Sequence, residues 1–157
     1  KDYNHARISE EDFNLIRDTA YGTYVEVGTF HGASAYAASQ NAESVTTIDI
    51  YDWQPKVCKD KVTFFKGTSV DFAQQFTTPF INVLFVDGSH EFDYILKDCD
   101  ALISLVKKGG TIMFDDYNPN NPASGVYPAI NEAIKKYNLT IIRETAYPTC
   151  SILVCKK

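Results

Sequence analysis

The amino-acid sequence predicts an α/β fold, a doubly wound sandwich on a seven-stranded, mostly parallel sheet that ends in an antiparallel β-hairpin. Three observations carry that expectation. Short apolar runs alternate with amphipathic segments, the pattern of a parallel sheet with right-handed crossovers. The run Tyr24-Val25-Glu26-Val27 stops at Gly28, and Gly32 and small residues follow, as in a buried strand, a glycine turn and a helix start. The last two apolar runs lie five residues apart, which suits a hairpin and not a crossover.

Each element has its own signal. Residues 9–20 read as a helix: Ser9 with Asp12 forms a variant capping box, and Phe13 and Ile16 supply an apolar face. A strand at 24–27 and a helix at 33–40 follow, then a strand at 45–49. A polar stretch with Trp53 and Pro55 separates it from a third strand at 62–66. Gly67-Thr68-Ser69 opens a helix to about Phe76. Residues 81–86 are nearly all apolar, as a strand covered on both faces should be. The segment 91–106 carries Phe92, Ile95, Leu96, Cys99, Leu102, Ile103 and Val106 at helical spacing, with Gly109-Gly110 as its terminator and a fifth strand at 111–114. An Asn- and Pro-rich loop (117–124) precedes a helix from about Val126. Strands at 139–144 and 150–155 close the chain around a turn with Pro148.

At 157 residues the chain is read as a single domain, 1–157, able to bury about two-thirds of its surface. A net charge of −5 and the lack of any Lys/Arg cluster argue against a nucleic-acid partner. No run reaches membrane-spanning length and no signal peptide is visible. The chain opens at Lys1 without a methionine, which leaves room for an upstream segment. The cysteines at 58, 99, 150 and 155 include no C-x-x-C pair; Cys150 and Cys155, read on one strand, face opposite sides. Free buried thiols in a reducing cytoplasm are expected.

The glycine pattern narrows the ligand. A dinucleotide fingerprint has G-x-G-x-x-G, whereas this chain has E-x-G-x-x-x-G-x-S from Glu26 through Gly28 and Gly32 to Ser34. An acid at Glu26 disfavours a pyrophosphate and suits a ligand with an ammonium group. Asp49 ends the second strand, 21 residues after Gly28, where an acid can accept both ribose hydroxyls of an adenosine. Thr68 and Ser69 end the third strand where an adenine would lie, though a plain helix cap by Ser69 explains them equally. Further on, Val86-Asp87-Gly88-Ser89-His90 and Phe114-Asp115-Asp116-Tyr117 end strands that neighbour each other in the inferred sheet. Asp87, Asp115 and Asp116 therefore meet, and three close carboxylates call for a hard cation such as Mg²⁺ unless some stay protonated. Acids that merely cap strand ends are the alternative.

The first of these patterns resembles motif I of class I S-adenosylmethionine (SAM) dependent methyltransferases. The VDGSH…LVKKGGTIMFDDY pattern is similar to one branch of them, the methyltransferase domain 24 type, which includes metal-dependent sugar O-methyltransferases of macrolide and aminocoumarin pathways and cephalosporin-hydroxylase-like proteins. The resemblance spans about residues 24–133. It implies a Rossmann-like sheet whose last strand is antiparallel, SAM as cofactor, and Mg²⁺ held by Asp87, Asp115 and Asp116. It further implies a SAM site of Glu26, Gly28, Thr29, Phe30, Gly32, Ser34, Asp49, Ile50, Thr68, Ser69 and Asp87. The acceptor expected is a small hydroxylated or sugar-like molecule, with neither nucleic acid nor membrane as partner.

The chain departs from that branch in two ways. Ser89 stands where a carboxylate commonly serves as general base, which leaves His90, with Asp87, as the catalytic candidates. His90 is expected in a helix's first turn, where the dipole favours a neutral imidazole; His31 and His5 are weaker candidates. The chain is also short, without the segments that usually build an acceptor pocket or lid. A metal-independent SAM methyltransferase and a non-catalytic nucleoside-binding module stay open as alternatives. The glycine spacing and terminal hairpin disfavour an NAD-dependent oxidoreductase.

Overall fold

The structure, a computed structural model, describes residues 8–53 and 60–157. His5, Pro55 and Cys58 lie outside the described residues. Helix α1 (Glu10–Thr19) leads into strand β1 (Thr23–Val27), helix α2 (Ala33–Ser39), strands β2 (Ser44–Asp49) and β3 (Val62–Lys66), and helix α3 (Ser69–Ala73). Strand β4 (Ile81–Val86), helix α4 (Phe92–Leu102), strand β5 (Val106–Phe114), helix α5 (Val126–Lys136) and strands β6 (Thr140–Arg143) and β7 (Leu153–Lys156) complete the chain.

The seven strands form one sheet in the order β3-β2-β1-β4-β5-β7-β6. β3, β2, β1, β4 and β5 run parallel, and β7 lies antiparallel between β5 and β6. The doubly wound sandwich with its antiparallel end, expected from the alternation of apolar runs, is the observed architecture. No helix among the described residues is long and apolar enough to cross a membrane.

Strand side chains alternate between two cores, because successive residues point to opposite faces. Val25, Val27, Leu84, Val86, Ile112 and Phe114 pack with Phe72, Ile95, Leu102 and Ile130 of α3, α4 and α5. Tyr24, Val83, Phe85 and Met113 face the other way, against Phe13 and Ile16 of α1 and Ala35 and Ala38 of α2. Each large apolar side chain so buried contributes about 1.5–3 kcal/mol. Cys99, Cys150 and Cys155 are free and buried in these layers, and burial pushes the Cys99 and Cys155 thiols up to about 12.

At three places the elements depart from the sequence expectation by more than a residue. The helix read over 91–106 stops at Leu102; a 3-10 turn, Ile103–Leu105, follows, and Val106 already belongs to β5. Val106 pairs with Ile81 and is completely buried there, so strand pairing satisfies the same apolar residue that helical spacing also fits. Gly109-Gly110 is thus no helix terminator but an irregular passage inside β5, where the register against β4 shifts. α3 ends at Ala73 instead of Phe76. The last strand begins at Leu153, not Cys150, whose residue forms an isolated bridge with Ala146. Cys150 and Cys155 are therefore not on one strand.

The two glycines of β5 give a test of this reassignment. Gly109 has φ +79° with open space around a built Cβ, whereas a Cβ on Gly110 would lie 2.8 Å from the Lys107 carbonyl oxygen and 2.6 Å from Val106 Cγ1. Gly109→Ala should cost about 1 kcal/mol from the left-handed backbone alone. Gly110→Ala should cost clearly more, since its neighbours include fixed backbone. Urea denaturation of the two variants checks the order; equal, negligible losses would contradict this passage as a packed part of the sheet.

Candidate functional site

The parallel hydrogen-bond ladder continues one residue beyond several strands and so places the candidate residues. Gly28 N donates to Ile48 O (2.9 Å), Asp87 N to Val27 O (3.0 Å) and Asp115 N to Val86 O (3.2 Å). Gly28, Asp87 and Asp115 consequently stand side by side at the carboxyl edge of β1, β4 and β5. Gly28 has φ +100°, and a Cβ there would lie 2.0 Å from the Asp87 carbonyl oxygen. Only glycine fits that approach. Phe30 (φ 44°) and Gly32 (φ 81°) are also left-handed, which folds the loop back over the edge.

Against this edge opens a cleft of about 450 Å³. Its lining includes the loop residues Gly28, Thr29, Phe30, His31, Ala33 and Ser34 and, beside them along the same sheet edge, Asp87, Gly88, His90, Asp115 and Asp116. Ile8, Asp12, Phe85 and Ser151 also line it. At the rim, the Phe30 ring meets His31 edge-on at 4.0 Å and Trp53 at 5.1 Å.

The three aspartates converge: one carboxylate oxygen from each lies within 4.8 Å of the others. Burial and the neighbouring Asp115 hold the Asp87 carboxyl well above its ordinary range. Burial and Asp116 push Asp115 up to about 6. These shifts have one cause in common, since adjacent like charges in a half-buried place resist ionisation. An all-oxygen set at this spacing fits a small hard divalent ion, whose opposed ligands are about 4–5 Å apart. His90 Nε2 lies 3.0 Å from Asp116 Oδ2. The histidine precedes the α4 N-cap, Glu91, and is not in the helix's first turn; its partner is a carboxylate rather than the helix end.

Sequence reasoning missed Asp12 and Ser151. Ser151 Oγ lies 2.6 Å from Asp115 Oδ1 and 2.8 Å from Asp12 Oδ2, and Ser151 N donates to Asp12 Oδ1 (3.0 Å). A hydroxyl carries one proton and can donate to only one of two carboxylates. The second contact therefore needs a proton on a carboxyl. Asp12 had a local explanation as a helix-cap residue, and its backbone N does donate to Ser9 Oγ. Nothing in the spacing links it to a serine 139 residues away.

The other site candidates divide between cleft and support. Glu26, expected to face an ammonium group, is 0% exposed and lies beneath the loop instead of on the cleft wall. Tyr24 OH donates to its Oε1 (2.9 Å), and Ser34 Oγ (2.9 Å) and Thr47 Oγ1 (3.0 Å) to its Oε2. Burial nevertheless pushes its carboxyl up to about 7, against those three hydroxyls. Asp49 Oδ2 accepts from Thr29 N and Oδ1 from Tyr51 N, both at 3.0 Å, so it fixes the loop at the end of β2. Ile50 beside it is 57% exposed. The α3 cap is Thr68, not Ser69: Thr68 and Asp71 form a capping box, while buried Ser69 donates to Asp98 Oδ1 at 2.6 Å.

Comparison with known proteins gives the following. A model of a methyltransferase domain matches residues 25–117. The uncharacterised protein R132 of Acanthamoeba polyphaga mimivirus is 30% identical over 130 residues, covering 71% of this chain, and the chain spans 59% of that protein's length. An O-methyltransferase from Bacillus cereus, solved in complex with S-adenosylhomocysteine (SAH), superposes with a TM-score of 0.68 at 15% identity, over 98% of this chain and 84% of that one. The MycE methyltransferase of the mycinamycin biosynthetic pathway, solved with Mg and SAH, superposes with a TM-score of 0.60 at 17% identity, over 94% of this chain and 48% of that one. At these identities the two superpositions speak for the fold.

Glu26 supplies a pH test. Its folded-state pKa of about 7 exceeds its ordinary 4.5, so between those values the native state holds a proton that the unfolded chain has released. Its contribution is fully present below about pH 4.5 and is lost as pH rises through about 7. Glu26→Gln cannot ionise. Between those limits, stability of the variant relative to the parent should therefore rise by an amount on the order of 3 kcal/mol. Urea denaturation of both proteins across that range measures it, and a pH-independent difference would show that Glu26 ionises normally.

Proposed function

The chain belongs to the methyltransferase-domain family, and from that premise we propose that it moves a methyl group from SAM to an oxygen of a small hydroxylated or sugar-like acceptor with the help of Mg²⁺. The observation that carries the reading is the convergence of Asp87, Asp115 and Asp116, with His90 at 3.0 Å from Asp116, in the cleft walled by the glycine loop. The loop from Gly28 to Ser34 suits the methionine part of SAM, because it borders the cleft beside Asp87. Asp49 and Ile50 at the end of β2 suit the ribose and adenine.

When bound, SAM supplies an electrophilic methyl on a sulfonium, and a divalent ion supplies a Lewis acid that lowers the pKa of an acceptor hydroxyl. Asp87, Asp115 and Asp116 would hold the ion. The chain's own part is position: the glycine loop and the aspartates of one cleft would bring donor and acceptor together, so that in-line attack becomes effectively unimolecular. His90 is the base of this reading. Its Nε2 is engaged by Asp116, which leaves Nδ1 to take the acceptor proton. Asp116 thereby orients the ring and stabilises the imidazolium that forms. The MycE complex with Mg and SAH supports the choice of ion and cofactor as an analogy of fold.

Titration calorimetry with SAH should show micromolar to sub-millimolar binding, roughly 5–8 kcal/mol. SAH formation should occur with some member of a panel of sugar and other hydroxyl acceptors, stop in excess chelator and return with Mg²⁺. Asp115→Asn should weaken Mg²⁺ binding and turnover together while SAH affinity stays. Full turnover in chelator would replace this reading with a metal-independent methyltransferase, and SAH binding without turnover on any acceptor would favour a binding module.

His90→Ala should lower turnover by about 10²–10⁴ while SAH affinity holds. Single-turnover rates on the acceptor found above are the measurement. An unchanged rate would pass the proton to a carboxylate or to water.

A further inference from the structure

We propose that Ser151 and Asp12 form a positioning pair that sets the Asp115 carboxylate for a divalent cation, anchored on the N-terminal helix. The inference rests on the metal reading of Asp87, Asp115 and Asp116 given above. Its ground is a set of contacts that neither residue needs for local structure.

Both oxygens of Asp12 go to Ser151: Oδ1 accepts from the backbone N at 3.0 Å, and Oδ2 lies 2.8 Å from the hydroxyl. Asp12 is 6% exposed. A carboxylate in the first turn of an exposed helix is ordinarily satisfied by water and by the helix end. Burying this one, with both oxygens committed to a residue far along the chain, carries a desolvation cost that the cap alone does not explain. A neighbouring contact tightens the same junction, since Ser9 Oγ donates to Thr149 O at 2.9 Å. The start of α1 and the turn before β7 are thus fastened at two successive places.

The fastened hydroxyl then reaches the candidate metal ligand, with Ser151 Oγ 2.6 Å from Asp115 Oδ1. Asp115 terminates β5, so its backbone is fixed by the sheet, and its side-chain torsions are what remain to be set. A carboxylate ligand oriented by an outer hydrogen bond presents its free oxygen lone pairs to the ion in one direction. Ser151 supplies that bond, and Asp12 keeps Ser151 from rotating away. The two act through Asp115 and are positioning residues.

The probe is Mn²⁺, followed by the electron paramagnetic resonance of the free ion during titration of the purified chain, with SAH affinity and thermal midpoint measured in parallel. Ser151→Ala should weaken Mn²⁺ binding by about 10- to 100-fold and leave SAH affinity unchanged. Ser151→Thr keeps the hydroxyl and should restore Mn²⁺ affinity. Asp12→Ala, which removes both contacts to Ser151, should reproduce the loss in part. Parental Mn²⁺ affinity in Ser151→Ala overturns the inference. So does a parallel loss of Mn²⁺, SAH and thermal stability that Ser151→Thr fails to repair, because that marks a purely structural contact. Failure of the parent chain itself to bind Mn²⁺ would remove the metal reading, whereas a parent that binds beside an indifferent Ser151→Ala removes only the positioning pair.

Discussion

The site depends on the hydrogen-bond ladder of the sheet running one residue past its strands. Gly28 N reaches Ile48 O, Gly67 N reaches Asp49 O, Asp87 N reaches Val27 O and Asp115 N reaches Val86 O. Each of these residues leaves its strand with the amide already committed to the neighbour, so its Cα is fixed before the loop begins. A parallel sheet exposes all its carboxyl ends on one side, and ligands of such sheets bind there. Fixing the exit residues therefore fixes the chemistry. It also forces Gly28 against the Asp87 carbonyl, where a Cβ would lie 2.0 Å from the oxygen.

Two groups of acids solve the problem of charge in opposite ways. Glu26 sits in the α1/α2 layer and is surrounded by hydroxyls of Tyr24, Ser34 and Thr47. Those donors satisfy it without opposite charge, and its carboxyl still rises to about 7 because burial outweighs them. It braces β1, the first turn of α2 and β2 from below the loop. Asp87, Asp115 and Asp116 instead face a cleft, with mutual repulsion added to burial. Burial and that repulsion together raise the Asp87 and Asp115 carboxyls. A divalent ion held by the three would relieve the repulsion.

Much of this was legible in the sequence for definite reasons. Strands such as 81–86 are apolar throughout because both faces are covered, and the glycine turn after Val27 needs backbone conformations that other residues avoid. Asp87, Asp115 and Asp116 could be brought together because they end strands that the alternating pattern makes neighbours. Periodicity failed at Val106, where helix spacing and strand burial make the same demand of one residue. It could not see that Glu26 would be roofed by three hydroxyls, since that depends on Thr47 and Ser34 arriving from other elements. Nor could it find Ser151, whose partners Asp12 and Asp115 come from α1 and β5; no local pattern encodes a contact between the first helix and the last turn.

The charge of the cleft carries one further consequence for the proposed reaction. Among the described residues that line it are Asp12, Asp87, Asp115 and Asp116, and no Lys or Arg. SAM bears a sulfonium, an ammonium and a carboxylate, a net charge of about +1 when its amino group is protonated, while SAH has lost the sulfonium charge. An acidic, half-enclosed cleft attracts the first more strongly than the second, because Coulomb interactions gain strength where water is partly excluded. Methyl transfer would thus discharge the ligand in place and weaken its hold on the site. The same field would draw in a divalent ion, and ion and sulfonium repel each other at close range. Asp87, Asp115 and Asp116 lie along the same sheet edge as the start of the glycine loop, so their negative charge would offset that repulsion.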